Sequence, residues 1–133
     1  MKIVNEVPDL KEYVDLRLAA GMEAADEEAL KNGLMHSLCT VSARGDQDEL
    51  LGMGRIIGDG GVYYQIVDLI VSPVQDEQSL QEAILYQLLD YLETHASKDA
   101  QLMVVSDVAG IKLYQKHGFK LVYPDYYGLT RSV

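Results

Sequence analysis

The sequence contains almost none of the residues and segments that build disulfides, membrane spans or metal sites. Its only cysteine, Cys39, excludes an internal disulfide, and its apolar neighbours Leu38 and Val41 predict a buried thiol. No apolar run approaches the roughly 18 residues that cross a bilayer, and the N-terminus lacks the apolar stretch of a signal peptide. The three histidines show no metal-ligand spacing. We therefore expect a cytoplasmic protein with no membrane association and no metal site.

Basic residues are also scarce. Eleven Lys and Arg stand against 21 Asp and Glu, so the formal net charge is -10. Such a surface repels phosphate backbones and anionic lipid, which argues against nucleic acid as a partner, and it attracts cationic ligands such as amines. The remaining composition is globular, with 48% hydrophobic and 24% charged residues. A chain of 133 residues with this composition predicts one domain over 1–133.

The first half of the chain predicts two helices followed by an antiparallel meander. A short apolar opening over 2–7 ends at Pro8, and apolar residues at helical spacing then continue to Gly21. A second helix is predicted over 26–34, because its acidic first turn suits the positive end of the helix dipole. Residues typical of strands, separated by turns, predict three antiparallel strands over 36–43, 50–57 and 62–71.

The second half predicts helices that alternate with strands. A stripe of leucine and isoleucine over 79–94 predicts a helix that lies against a sheet. The elements predicted after it are a short buried strand over 102–105, a helix over 108–116 closed by Gly118, and a last strand within 119–129. The order β-α-α-β-β-β-α-β-α-β predicts an α/β (α+β) fold. We expect a mixed, mostly antiparallel central sheet flanked by helices, with one right-handed parallel crossover.

Four segments of the chain carry a family resemblance. A helix that ends in Tyr-x-Lys-x-Gly-Phe before a strand occupies 113–119, and three more segments precede it in matching order. They are the Leu16-Arg17 pair, the glycine-containing strand 52–60 and the strand 67–73. On these residues the chain resembles small, single-domain, bacterial-type members of the GNAT superfamily of N-acetyltransferases. The resemblance implies direct transfer of an acetyl group from acetyl-CoA to an amine, with no covalent enzyme intermediate.

The resemblance also implies catalytic roles for two side chains. The family tyrosine that matches Tyr114 lies near the sulfur, where its phenol can protonate the leaving thiolate. Asp68, on the strand that would line the cleft, is the candidate to accept the proton of the amine, directly or through water. Two alternatives remain open: Tyr114 packs the end of a helix, and Asp68 pairs with Arg55 or orients a loop.

The positions that would contact the cofactor lie on two segments. In the family, backbone groups of the strand that matches Leu69, Ile70 and Val71 hold the pantetheine and thioester. The start of the following helix holds the pyrophosphate with its free N–H groups. The matching positions there are Glu77, Gln78, Ser79, Leu80, Gln81 and Glu82, together with Asp107 ahead of the last helix.

This pyrophosphate loop departs from the family pattern Gln/Arg-x-x-Gly-x-Gly/Ala. The run over 76–81 is Asp-Glu-Gln-Ser-Leu-Gln, so both glycines are replaced, and carboxylates at Asp76 and Glu77 would face an anionic ligand. Ser79 and Glu82 also form a capping-box pattern, which would satisfy the N–H groups of the helix from within. The alternative is that the loop moves and the amides stay available.

Two functions from different classes therefore stay open. One is an N-acetyltransferase that acts on a small amine or a protein amino group. The other is a catalytically weak or inactive GNAT-like domain that serves as a binding or regulatory module. A third possibility is an unrelated α/β domain that carries the Tyr-x-Lys-x-Gly-Phe string by coincidence. The apolar, tyrosine-rich tail over 121–129 could pair with a second copy, which makes a homodimer possible.

Overall fold

The structure is a computed structural model that describes residues 1–73 and 76–133. In chain order, the elements of these residues are β1 Lys2–Val4, α1 Leu10–Ala19, α2 Glu27–Met35, β2 Cys39–Arg44, β3 Leu50–Gly58, β4 Tyr63–Val71, α3 Glu77–His95, β5 Gln101–Val104 and α4 Ile111–Lys116. A short 3-10 turn, Val108–Gly110, leads into α4. Each of the four predicted helices is present, although the predicted helix over 108–116 begins with the 3-10 turn.

The strands form one sheet in the order β1-β2-β3-β4-β5. Neighbours from β1 to β4 are antiparallel, whereas β5 runs parallel to β4 after the crossover through α3. Both the predicted meander and the predicted parallel crossover are present, so the predicted fold class is confirmed. Helices cover both faces of the sheet, which buries apolar side chains on each.

Two separate hydrophobic clusters lie on the two faces. The cluster under α3 includes Val41, Ala43, Ile56, Ile66, Val71, Leu80, Ile84, Leu85, Leu88 and Tyr114. The cluster under α1 and α2 consists of Tyr13, Leu16, Leu34, Met53 and Ile70. A Cβ at Gly54 would lie only 2.8 Å from Leu88 Cδ1, so a glycine at this strand position lets α3 approach the sheet closely.

The predicted last strand over 119–129 is wrong. After α4 the chain forms no strand up to Val133, and a turn holds the segment, in which the Tyr126 N–H donates to the Val122 carbonyl at 2.9 Å. The apolar side chains of this segment stay exposed. Strand propensity describes side chains that fit a pleated, half-buried surface, and in the described part of the chain this segment pairs with no strand.

Arg44 connects β2 to the start of α1. Its buried guanidinium donates from Nη2 to Glu12 Oε1 at 3.0 Å, from Nε to Glu6 Oε1 at 3.3 Å and from Nη1 to the Asp48 carbonyl at 3.2 Å. Glu12 also accepts the Asp9 N–H at 3.1 Å, which caps α1. The hydrogen bond from Arg44, more than any other contact, lowers the pKa of Glu12 below its ordinary value of 4.5.

The variant Glu12→Gln should unfold more easily than the wild type at pH 7, by about 1.5–3 kcal/mol, since a charge-assisted hydrogen bond is lost. A carboxyl whose pKa is lower in the folded than in the unfolded state contributes its full stabilisation at pH values above the unfolded pKa. This contribution is lost as the pH falls through the folded pKa. The difference in unfolding free energy between the wild type and Glu12→Gln should therefore shrink as pH drops below about 4.5. Urea unfolding across this range tests it, with Asp15→Asn in an exposed pair with Lys11 as the control. A difference in unfolding free energy that does not change with pH would contradict the assignment.

Candidate active site

At the β5 edge of the sheet, the pairing of β4 with β5 stops before β4 ends. Their pairing runs from Tyr63 opposite Gln101 to Ile66 opposite Val104, where β5 ends. β4 continues for five more residues to Val71, and there its ladder is with β3 alone, as in the pairs Gly52–Val71 and Met53–Ile70. On the side away from β3, the backbone groups of Leu69 to Val71 therefore have no strand partner among the described residues, and we call this open place beyond the end of β5 the gap. This gap coincides with the segment predicted to hold the thioester.

A β-bulge at Asp68 marks the start of the gap. Met53 pairs with Ile70 and Arg55 pairs with Val67, so β4 has one more residue than β3 between these pairs. Asp68 has a φ of 54°, a left-handed conformation that aspartate tolerates better than most residues. The extra residue shifts the alternation of the strand. Ile66 faces α3 before the bulge, and Leu69 and Val71 face α3 after it.

The Asp68 carboxylate is held by three donors on the α1 face of the sheet. Arg55 Nε lies 2.8 Å from Oδ2, Arg17 Nη1 lies 3.5 Å from Oδ1, and the Tyr13 hydroxyl also donates to Oδ2. The Asp68 side chain is only 9% exposed. Burial, followed by the hydrogen bond to Asp68, raises the pKa of Tyr13, which keeps its hydroxyl a donor at neutral pH. The pairing of Asp68 with Arg55, one of its open alternatives, is therefore observed.

Arg55 extends this cluster to the end of α2. Its Nη1 donates to the Gly33 carbonyl and to Ser37 Oγ, each at 3.1 Å. A single carboxylate and two guanidiniums thus connect α1, α2, β3 and β4 at the bulge. The Asp68 carboxylate thus holds four elements together through its ion pairs and hydrogen bonds. The geometry therefore favours the ion-pair role over the role of general base.

Tyr114 lies on the opposite face of the sheet from Asp68. It projects from α4 into the cluster under α3, with 9% of its surface exposed, and its ring contacts Phe119 edge-to-face at a centroid distance of 5.5 Å. Burial chiefly, and the charge of Asp107 in addition, raise the pKa of Tyr114 above its ordinary value. Its hydroxyl donates to no group in residues 1–73 and 76–133. The side chain is therefore a neutral phenol whose O–H has no hydrogen-bond partner among the described residues.

The predicted capping box at the start of α3 is wrong. The helix begins at Glu77 with Asp76 as its N-cap, three residues before Ser79, which the pattern predicts as the N-cap. The Ser79 hydroxyl donates to Asp76 Oδ2 at 3.0 Å. Glu82 instead contacts α4, with Lys116 Nζ at 2.7 Å and His117 Nε2 at 3.0 Å. Hydrogen bonds from Lys116 and then His117 lower the pKa of Glu82.

The backbone N–H groups of the first turn of α3 are consequently not capped from within. Among the residues that the structure describes, no side chain accepts a hydrogen bond from the amides of Glu77, Gln78 or Ser79. Residues 74 and 75, which precede the predicted pyrophosphate loop, lie outside the described residues. An open pocket of about 490 Å³ adjoins this turn between α3 and α4. It is lined by Ser79, Glu82, Ala83, Tyr86 and His117.

Comparison with known proteins settles the family. The model of the acetyltransferase (GNAT) domain matches residues 10–128. The chain belongs to the GNAT acetyltransferase family. A probable acetyltransferase of unknown function from meticillin-resistant Staphylococcus aureus is similar in structure, with 34% identity, a TM-score of 0.91 and coverage of 99% of this chain and 98% of that one. No curated protein matches the chain.

Two further structures share the fold of this GNAT chain. A GNAT family acetyltransferase from Streptococcus pneumoniae TIGR4 is 24% identical, with a TM-score of 0.81 over 99% of this chain and 97% of that one. The ribosomal-protein-S18-alanine N-acetyltransferase of Escherichia coli is 21% identical, with a TM-score of 0.72 over 90% and 77% of the two chains. In the described part of the chain, no helix is long and apolar enough to span a membrane and no acidic, histidine or cysteine cluster fits a metal ion.

The predicted site residues of this GNAT chain differ in how far they are exposed. Glu77, Gln78 and Ser79 are exposed at the helix start, and Leu80 is buried in the core, so only its backbone is available to a ligand. Gln81 and Glu82 are half-buried. The Asp107 carboxylate accepts the Gly110 N–H at 2.9 Å and caps the turn before α4. Cofactor contacts by these residues, and by Leu69 to Val71, remain predictions.

Sequence reasoning missed the contact of Tyr13 with Asp68. Its apolar spacing assigned it to the core stripe of the first helix, where it is indeed fully buried. The available signal was its position four residues before Arg17, since side chains at this spacing share one face of a helix. The Arg17 guanidinium carbon lies 5.6 Å from the centre of the Tyr13 ring. Both side chains reach the same aspartate on the neighbouring strand.

Proposed function

We propose that this GNAT chain transfers the acetyl group of acetyl-CoA to a primary amine by direct attack. The observation that carries the proposal is the gap beside β4, with Tyr114 in the same core cluster as Val71 and its hydroxyl without a partner among the described residues. In the reaction, the amine nitrogen bonds to the acetyl carbon and the carbon–sulfur bond breaks. The sulfur leaves with the bonding electrons, and the Tyr114 hydroxyl gives it a proton. Water accepts the proton that the amine loses.

The residues at the gap fit the donor substrate in part. Free backbone groups at Leu69 to Val71 suit an extended amide-containing arm, and the uncapped N–H groups at the start of α3 suit a diphosphate. The acidic side chains oppose this fit. A like-charge pair costs ~1 kcal/mol in water-like surroundings and up to ~4 kcal/mol near a partly shielded surface, so Asp76 and Glu77 weaken the affinity for the coenzyme.

The acceptor in this proposal is a small amine or a protein amino group. The net charge of -10 attracts cationic amines. One protein of the same fold is, by its name, an N-acetyltransferase of a ribosomal protein alanine. The second candidate function is a binding or regulatory module with little or no turnover, which the two exposed carboxylates beside the helix start favour.

Isothermal titration with acetyl-CoA and thiol release with a panel of amines test the proposal. We expect binding, and we expect Glu77→Gln to tighten it about fivefold or more, because ~1 kcal/mol of repulsion is removed. The matched control is Glu93→Gln on the same helix. It lies 16 residues further on, about 24 Å along the axis, beyond the ~8 Å screening length of physiological salt.

The result that would overturn the enzyme assignment is simple. Absence of heat, of a thermal shift and of thiol release at millimolar acetyl-CoA would leave the binding module as the remaining function. Equal tightening by both glutamine variants would instead show that the charge at Glu77 has no local effect on the coenzyme.

A further inference from the structure

The ion cluster at the bulge carries more positive than negative charge. It contains the guanidiniums of Arg17 and Arg55 and the single carboxylate of Asp68, so two positive groups and one negative group leave an excess of +1. Burial and the hydrogen bond to Asp68 raise the pKa of Tyr13, which therefore adds no charge. Within the part of the chain that the structure describes, neither arginine forms an ion pair with another carboxylate. An uncompensated charge is costly at a nearly buried position.

Arg17 is the member of the cluster whose charge is least compensated. Its Nη1 lies 3.5 Å from Asp68 Oδ1, at the outer limit of a hydrogen bond, whereas Arg55 Nε lies 2.8 Å from Asp68 Oδ2. Arg55 also donates to the Gly33 carbonyl and to Ser37 Oγ. By contrast, Nε and Nη2 of Arg17 donate to no group in residues 1–73 and 76–133. The excess charge of the cluster therefore resides mainly on Arg17.

The unpaired nitrogens of Arg17 are open to a ligand. The Arg17 side chain is 16% exposed. Among the described residues, Thr40 Oγ1 is the only fully buried side-chain polar atom without a hydrogen-bond partner. Solvent consequently reaches Nε and Nη2 of Arg17, which have no partner either. The planar fork of a guanidinium matches the two oxygens of a carboxylate, so these atoms suit such a group.

Arg17 borders the gap on the face of the sheet that the coenzyme positions leave open. Its partner Asp68 stands at the start of the gap, and Ile70, within the gap segment, belongs to the cluster under α1 and α2. The proposed coenzyme contacts, which are the start of α3 and Tyr114, belong to the opposite face. The α1 face is therefore the side from which an acceptor reaches the thioester.

We propose that Arg17 binds a carboxylate of the acyl acceptor, so that the acceptor is an amine with its own carboxylate, such as an amino acid. This inference rests on the proposed function and narrows its acceptor. A monoanion fits because the excess charge is one, whereas a phosphate dianion would leave a negative charge beside Asp68. The carboxylate forms and breaks no bond. The amine nitrogen still attacks the acetyl carbon, and Arg17 holds the acceptor in place for this step.

The charge of the whole chain agrees with an acceptor that is a zwitterion. The net charge of -10 favours the ammonium group of such a molecule and repels a molecule that is anionic overall. The local excess at Arg17 favours the carboxylate. An amino acid therefore meets a favourable charge at each end, and only its amine must lose a proton before it attacks.

A comparison of amino acids with their own carboxamides tests the acceptor class. Thiol release from acetyl-CoA is measured for glycine, β-alanine and γ-aminobutyrate, each beside its amide. We expect kcat/KM to be about tenfold or more higher for at least one acid than for its amide, because the amide lacks the charged hydrogen-bond acceptor. A carboxylate also raises the pKa of the neighbouring amine and lowers the share of reactive free base, so this bias opposes the expected result. Amides that react as well as all three acids would overturn the proposal and leave the transfer function in place.

Variants of Arg17 test whether this side chain reads the carboxylate. Arg17→Gln should abolish the difference in kcat/KM between an acid and its amide. Arg17→Lys keeps the charge but lacks the fork, so it should retain part of the difference. Arg131→Gln is the matched control, since it removes the same charge from an exposed position and should retain the whole difference. A preference for the acid that survives Arg17→Gln would overturn the assignment.

A binding measurement keeps the test independent of catalysis. Without coenzyme, a preferred acid at millimolar concentration should raise the Tm of the wild type, whereas its amide should not, and Arg17→Gln should lose this shift. Circular dichroism verifies that the variant is folded. If no amine is acetylated but the acid still binds through Arg17, the proposed function fails and the carboxylate site stands. If neither the Tm nor the turnover distinguishes acids from amides, the carboxylate site is overturned.

Discussion

The variant Asp68→Ala should lose about 3–5 kcal/mol of unfolding free energy, because it leaves two nearly buried guanidiniums without their counter-charge. Arg55 and Arg17 both direct N–H groups at this carboxylate, and the Tyr13 hydroxyl would lose its acceptor. Removing one partner of a buried ion pair destabilises the fold far more than replacing the whole pair with apolar residues. The remaining charge stays buried and keeps its desolvation penalty. The loss should be visible in urea or thermal unfolding.

The chain offers a matched control for the backbone at this position. Asp48 also has a left-handed φ, 62°, but it is exposed and its side chain is outside the cluster at the bulge. Asp48→Ala should therefore cost no more than the ~1–2 kcal/mol of the left-handed conformation alone. Asp68→Asn keeps the shape and an acceptor oxygen, so it should fall between the wild type and Asp68→Ala. Equal losses from Asp68→Ala and Asp48→Ala would show that the ion pairs contribute nothing measurable.

The variant Tyr114→Phe should lower kcat for acetyl transfer by about 10²-fold, with up to 10⁴-fold within the range of a lost general acid. The expectation rests on the proposed function. Phenylalanine keeps the ring that packs against Phe119, and the missing hydroxyl has no partner in the described chain, so stability should change by less than about 1 kcal/mol. The KM for acetyl-CoA should stay nearly the same, because the hydroxyl acts on the leaving sulfur and not on the bound ground state.

A conservative change elsewhere provides the comparison for Tyr114. The Tyr91 ring on α3 stacks on the His95 ring, with 4.3 Å between the ring centroids, and burial raises the pKa of Tyr91 as well. Tyr91 is not one of the residues at the gap. Tyr91→Phe should leave kcat unchanged. Because the pKa of Tyr114 is above 10.0, its ionisation should not reduce the wild-type rate until pH exceeds 10. A kcat of Tyr114→Phe within about twofold of the wild type would remove the residue from the chemistry.

The long helix shows where local patterns succeed and where they fail. The apolar stripe over 79–94 predicted a helix against the sheet, and α3 is that helix. The Ser-x-x-Glu pattern at its start predicted a cap, but Asp76 is the actual N-cap and Glu82 pairs with α4. Cap patterns are short and several positions of one segment can satisfy them, whereas a stripe of six apolar residues has one register that buries it.

The cluster around Asp68 lay partly within reach of the sequence. The pairing of Asp68 with Arg55 was one of the alternatives, since both stand on neighbouring strands. The contributions of Tyr13 and Arg17 were not predictable, because they depend on which residue of β4 is the extra one. A one-residue shift exchanges the two faces of a strand, and only the pairing with β3 decides it.

By itself, the sequence determined the order of the helices and strands as far as α4, the family, and the acidic character of the surface. Each of these depends on residue types and their local spacing, which are complete in the chain. Only the tertiary structure decided the bulge at Asp68, the lack of a side-chain cap hydrogen bond at the start of α3 among the described residues, and the absence of a strand over 119–133. Each of these depends on a partner that is distant in the chain, and a strand in particular exists only where another backbone supplies its hydrogen bonds.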